Sequence, residues 1–286
     1  MKAKEEKKYI NGLELAYQTW GARSGPKLIA LHGWLDNSDS FRELAPLLAD
    51  QYEITAVDLP GHGRSAHLSP HGHYQLLDSL PTILRLADEL KIEKLNLIGH
   101  SLGGVIGSLL AGAFPERIKS VVSIEAIGPL SDDPSKAAEV FAKSVRQYQG
   151  YDLHRAQNTS YSSVEEMIER RVKVSDFDFN IGEKFVPRSI MKKGDRYFWT
   201  SDPRLRLPSR VRLTERQVES FLSRIQCPFQ FIRAKPGIPI PDAAMHSRIN
   251  LIQDIQMHMI EGGHHVHIEK PDHTAKLIKS FLKKVI

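Results

Sequence analysis

Residues 95–104 read LNLIGHSLGG, and VIGSLLAGAF follows at once. An apolar strand therefore runs through Gly-His-Ser-Leu-Gly straight into a helix-compatible segment. In such a turn the central residue is forced into strained backbone angles. The residues two positions to either side must be small so that strand and helix can approach closely. Gly99 and Gly103 meet that demand. The strain lifts the Ser101 hydroxyl clear of the sheet and points the next backbone N–H, that of Leu102, into the same space. A hydroxyl at its free pKa is a poor nucleophile, so a base and an anion-stabilising site must come from elsewhere in the chain.

Outward from this turn, strands alternate with helices. Residues 8–20 predict a hairpin turning at Asn11-Gly12. KLIALHG predicts a strand ending in His32-Gly33 before the helical FRELAPLLAD, and YEITAVDLPGHGRS a strand ending in a Gly/Pro loop. LLDSLPTILRLADEL is amphipathic at helical spacing, and IKSVVSIEA follows the serine helix as a further strand. After CPFQFIRA come the loop IPIPDAAMHSRI, a strand DIQMHMI and a final helix from Pro271. This order implies an α/β fold: a mostly parallel sheet flanked by helices. The rhythm breaks over 128–223, where charged helical stretches give way to FWTSDPRLRLPSRVRL. That segment is expected to be an inserted helical cap, dividing the core into 1–127 and 224–286.

A chain of 286 residues, 41% hydrophobic and 26% charged, can bury a full core. Its net charge of +5 is spread along the chain with no basic stripe, so nucleic-acid binding is not indicated. The opening MKAKEEKKYI lacks an apolar core, and no later stretch is long and apolar enough to span a bilayer, so the expectation is a cytoplasmic protein with no membrane partner. Cys227 is expected to be a core filler. The 13 histidines include no HExxH pair, so neither a metal nor any other cofactor is expected.

Taken together, LHGWLDNSDSF, DLPGHGRS, GHSLGG, the DPRL of the cap and GGHHVHIEKP resemble the α/β hydrolases, and among them the serine hydrolase-like family. The resemblance spans nearly the whole chain and implies an α/β-hydrolase fold with a cap. It implies His264 as the base, directly after Gly263 and in register with Glu269 and Pro271, with His265 and His267 packing the loop. It also implies an oxyanion hole made by the Trp34 and Leu102 amides, with His100 supporting the loops around it and Asp58 organising another loop. Many relatives carry the triad acid in a Gly-x-x-Asp loop after the cap, but here that loop reads IRAKPGIPIPD. SIEAIGP instead puts Glu125 at a strand end, where the similar haloalkane dehalogenases carry their acid. Asp242 is the alternative acid.

The expected activity is hydrolysis of small-molecule carboxylic esters through an acyl-enzyme on Ser101. Acyl transfer to an alcohol or peroxide by the same triad, and a non-catalytic ligand receptor using the capped cavity, are the alternatives. His32, His100 and Trp199 are expected around the substrate pocket, with Tyr197 and Phe198 beside Trp199. Arg204, Arg206, Arg210 and Arg212 are expected to face water more readily than an anionic substrate. A homo-oligomer is left open.

Overall fold

A computed structural model describes residues 2–22, 24–175, 177–237 and 242–286, with the side chains of 242–244 outside the described set. Ten strands are described among these residues: β1 Lys4–Ile10, β2 Leu13–Trp20, β3 Lys27–Leu31, β4 Glu53–Val57, β5 Leu95–His100, β6 Ile118–Ile124, β7 Ile190–Lys193, β8 Arg196–Trp199, β9 Phe229–Pro236 and β10 Ile255–Gly262. β1 and β2 form the expected hairpin, with Asn11 and Gly12 both at positive φ, as a two-residue turn between right-twisted strands requires.

The main sheet is eight-stranded, in the order β1-β2-β4-β3-β5-β6-β9-β10. Pairing is antiparallel through β1, β2 and β4 and parallel across the remainder. Parallel strands need crossovers, and helices supply them on both faces. β5 at the centre is wholly buried. Its Leu95 and Leu97 enter one apolar cluster with the helices Ser79–Glu89 and Leu102–Ala113. Ile98 enters the opposite cluster, with Ile278, Phe281 and Leu282 of the final helix Pro271–Val285. Cys227 packs in the first cluster, where burial pushes its thiol up to about 12 and leaves it unreactive at neutral pH.

Between β6 and β9 lies the inserted segment. It carries the helices Ala137–Gln149, Leu153–Gln157, Val164–Val172 and Phe179–Phe185, together with the small antiparallel sheet β7-β8, so it is not purely helical. Ile168, Phe177, Ile181, Phe185 and Val186 give it an apolar core of its own, closed on one side by Ile268 from the loop after β10. The helix Glu215–Leu222, inside the expected 128–223 cap, instead buries Val218 and Leu222 in the main core. Its apolar face packs with the helix after Ser101, so by packing it belongs to the main core. No helix among the described residues is long and apolar enough to cross a membrane.

Candidate active site

The loops that follow β3, β5, β6 and β10 meet at one end of the parallel sheet, where α/β architectures place their ligands. Ser101 caps the helix Leu102–Ala113 with φ 50° and ψ −112°, outside the regions an L-residue adopts freely. Two things hold it there. Its N–H donates to Ile124 O at 2.9 Å, and the strand and helix on either side are in near contact. A Cβ at Gly99 would strike the Gly103 backbone, and one at Gly103 would strike the Leu31 carbonyl, so neither position accepts a larger residue. Leu102 N–H is the first of its helix and has no intrahelical acceptor. The sharp turn thus presents a hydroxyl and a backbone donor together.

Glu125 ends β6 at φ 62° and is buried, 4% exposed. Its Oε1 accepts from Ala234 N at 2.5 Å, and its Oε2 accepts from His264 Nδ1 at 3.3 Å. That bond leaves Nε2 of the neutral imidazole as a proton acceptor, which is the tautomer a general base requires. Burial holds the His264 pKa below its ordinary value, although the Glu125 hydrogen bond pulls the other way. Among the described residues no hydrogen bond joins the Ser101 hydroxyl to the ring, and such contacts often tighten only when substrate is bound.

The loop after β9 leaves room for the Glu125 carboxylate at the end of β6. Gly237, in the AKPG run, has φ 55°, and a Cβ there would lie 2.7 Å from Glu125 Oε2. Glu125 therefore occupies the space that a side chain on Gly237 would need, so the two strand ends cannot both present a carboxylate. The side chain of Asp242, the alternative acid, lies outside the described residues. Behind His264, Gly263 N donates to Glu269 Oε2 at 2.8 Å, which anchors the base loop to the turn before the last helix.

A second His–carboxylate pair lies beside the first. His265 Nε2 donates to Asp36 Oδ2 at 3.1 Å, and the cap residue Arg171 donates to Asp36 Oδ1 at 3.0 Å and to Trp34 O at 3.2 Å. His100 Nδ1 faces Asp36 Oδ2 at 3.6 Å, while its Nε2 donates to the His264 carbonyl at 2.8 Å. Burial alone would raise the Asp36 pKa; His265, His100 and Arg171 together hold it well below its ordinary value. Burial pushes His265 down to about 4 against the pull of Asp36, and pushes fully buried His267 down as well. The network clamps the loop after β3, the loop after β10 and the inserted segment to one another. Asp36, His100 and His265 are the described side chains that could hold a metal ion, with donor atoms within 4.8 Å of one another. The Arg171 guanidinium on the same carboxylate opposes a further cation there.

Two adjacent cavities that share part of their lining open over this end of the sheet, of about 640 and about 1090 Å³. Ser101 and Glu125 line the larger, while Trp34, Leu102 and Arg212 line both. The Trp34 indole donates to Leu205 O at 2.8 Å and stands on the wall between them.

Three residues expected around the pocket lie elsewhere. His32 is fully buried beneath it, donating from Nδ1 to Gly33 O and accepting from Leu59 N at Nε2, so both ring nitrogens are spent on joining two loops. His100 is equally buried and serves the base loop. Trp199 lines neither cavity; it packs edge-on against Tyr161 and against the apolar core of the cap, because its place on β8 turns the indole inward. Arg204 does not face water either. It is buried against Asp202, which also accepts from Tyr74. Asp58 organises loops as expected, accepting from Ser38 N, Arg64 N and the cap residue Arg188. Sequence reasoning missed Asp36, Arg171 and Gly237; for Asp36 the available signal was an acid three residues beyond His32-Gly33, in a loop already assigned to the oxyanion site.

Residues 26–271 match the family model of the alpha/beta hydrolase fold. The chain belongs to the α/β-hydrolase family. Within it the chain is similar to the serine hydrolase-like proteins. It is 29% identical to a probable serine hydrolase of Drosophila melanogaster over 93% of this chain and 83% of that protein. It is 28% identical to the human serine hydrolase-like protein 2 over 94% of this chain and 90% of that one. Among solved structures, a hypothetical protein of Pseudomonas aeruginosa superposes with a TM-score of 0.88 at 32% identity, covering 97% of each chain. The thioesterase domain from the curacin biosynthetic pathway shares the α/β-hydrolase fold with a TM-score of 0.85 at 22% identity, over 98% of this chain and 100% of that one.

Proposed function

We propose that this α/β hydrolase cleaves carboxylic esters through an acyl-enzyme. Ser101 Oγ attacks the ester carbonyl while its proton passes to His264 Nε2. The tetrahedral oxyanion is held by the Leu102 and Trp34 amides, and the C–O bond breaks as His264 returns the proton to the leaving alcohol. Water then gives a proton to the same nitrogen as it attacks the acyl carbon, and the bond from that carbon to Ser101 Oγ breaks as His264 returns the proton to Oγ, releasing the acid. Glu125 holds the imidazole in the working tautomer and stabilises its charged form. The observation that carries this reading is the His264–Glu125 hydrogen bond set beside a strained serine on the wall of a large cavity. A fluorophosphonate probe should label the wild type and leave Ser101→Ala unlabelled, and a panel of aryl esters should be turned over by the first protein alone. Labelling of Ser101→Ala at the wild-type rate would end the assignment.

A further inference from the structure

The two cavities differ in charge. The larger carries Arg210, Arg212 and Arg248 against Asp78, Glu125 and Glu215, and Arg248 is already paired with Glu215 at 2.7 Å. The smaller carries Lys143, Arg206 and Arg212, and Asp78 is the one carboxylate on its wall among the described residues. None of these three cations makes a hydrogen bond or ion pair with another described residue. Three buried arginines of the same segment are committed instead: Arg171 to Asp36, Arg188 to Asp58, Arg204 to Asp202. The histidines on this wall add no further positive charge, since His62 is pushed down to about 3 by burial and His73 is lowered by burial and by Arg210 and Arg204.

Leu102, whose amide is assigned above to the oxyanion, lines both cavities, so an ester bound at Ser101 has room to extend one arm into each. The larger arm-space is lined by Val105, Ile127, Leu130, Phe141, Leu213 and Met245, which suit an acyl chain. We infer that the smaller cavity binds an anionic leaving group, so that the substrate class is an ester of an apolar acid with a negatively charged alcohol or thiol. This rests on the ester-hydrolase reading above and adds to it which end of the substrate is charged and which residues, Lys143, Arg206 and Arg212, recognise that charge.

Matched substrates test it: the hexanoyl esters of para-nitrophenol and of its meta-carboxylated analogue, and the para-nitrophenyl monoester of adipic acid, which carries its charge on the acyl side. At low salt the wild type should prefer the carboxylated phenol ester over the neutral one by about tenfold in kcat/KM, mainly through KM, since exposed cations each contribute modestly. The preference should shrink toward unity at ~1 M salt, where screening acts within ~3 Å. In a Lys143→Gln, Arg206→Gln, Arg212→Gln triple variant the ratio of the two rates should fall to about one. Because the ratio is internal to each protein, partial misfolding of the variant does not disturb it, and the wild-type salt series stands without the variant. A wild-type ratio near one, a ratio unchanged in the triple variant, or a preference for the adipate monoester would each overturn the inference while leaving the hydrolase reading intact. Failure to turn over any of the three esters, with no fluorophosphonate labelling of Ser101, would sink both.

Discussion

His264 and His265 are neighbours in the chain, and each ring bonds to a buried carboxylate, yet the two pairs do different work. The His264 side chain is 15% exposed beside Glu125, and its second nitrogen points away from its acid, free to take a proton. The His265 side chain is 4% exposed, stacked on Phe185 and set edge-on to Phe177, with Asp36 shared by Arg171. The difference lies in what surrounds the pair. A His–carboxylate pair beside a cavity can cycle a proton with a substrate, whereas one sealed under an arginine can only stay in place. In consequence the sealed pair holds the loops on which the open pair depends.

The comparison breaks most visibly at the rings themselves. His264→Ala and Ser101→Ala should each lower kcat for ester hydrolysis by roughly four to six orders of magnitude while the proteins remain folded, because such groups act as a unit. His265→Ala should show the reverse pattern, a lowered Tm with most of the rate per folded molecule kept. If His265→Ala is as dead as His264→Ala in a folded preparation, the two rings have been assigned the wrong way round. The carboxylates come next. Glu125→Gln should cost roughly two to four orders of magnitude in acylation rate with little change in stability. Asp36→Asn strands Arg171, 5% exposed, without its charge partner and should lower the unfolding free energy by about 3–5 kcal/mol in urea titrations. Equal stability losses for the two variants would erase the distinction.

A pH series sharpens the contrast with one sample. On the proposed mechanism the base is neutral His264, whose pKa burial holds below its ordinary value, so the rate should rise with pH and reach its plateau by about pH 7. Stability responds to the sealed rings. His265 titrates at about 4 when folded and at 6.5 when unfolded, so between those values the unfolded chain binds more protons and stability falls as pH drops. His62, lowered to about 3, and His267 act with the same sign. A Tm constant from pH 7 down to about 4.5 would contradict the sealed pair. The smallest effect is expected at Asp242: with Glu125 in place, Asp242→Asn should change kcat/KM by less than about tenfold, and a loss matching Glu125→Gln would move the acid to the loop after β9.

The serine turn was legible because everything that makes it lies within ten residues: an apolar strand, glycines two positions to each side, and a helix former directly after. Glu125 stood out as a candidate partner for a histidine because a carboxylate at the end of an apolar strand is unusual, and the hydrogen bond to His264 is what the structure adds. The pocket was not legible. Whether Trp199 faces a ligand or the cap core depends on the facing of a four-residue strand, and a one-residue shift of register would reverse it. Arg171 and Asp36 are 135 residues apart, and nothing in either local stretch singles out the partner.

The sequence by itself determined the alternating α/β order, the strained serine and the tandem histidines after the last strand, since these follow from local periodicity, glycine placement and residue type. Only the tertiary structure decided which histidine meets which carboxylate, that Gly237 and Glu125 divide one space, and that Arg204 is buried while Arg206 and Arg212 stand at a cavity wall without an ion-pair partner among the described residues. Those outcomes depend on how distant loops converge at the end of the sheet, and with them on which charges lose water and which keep it.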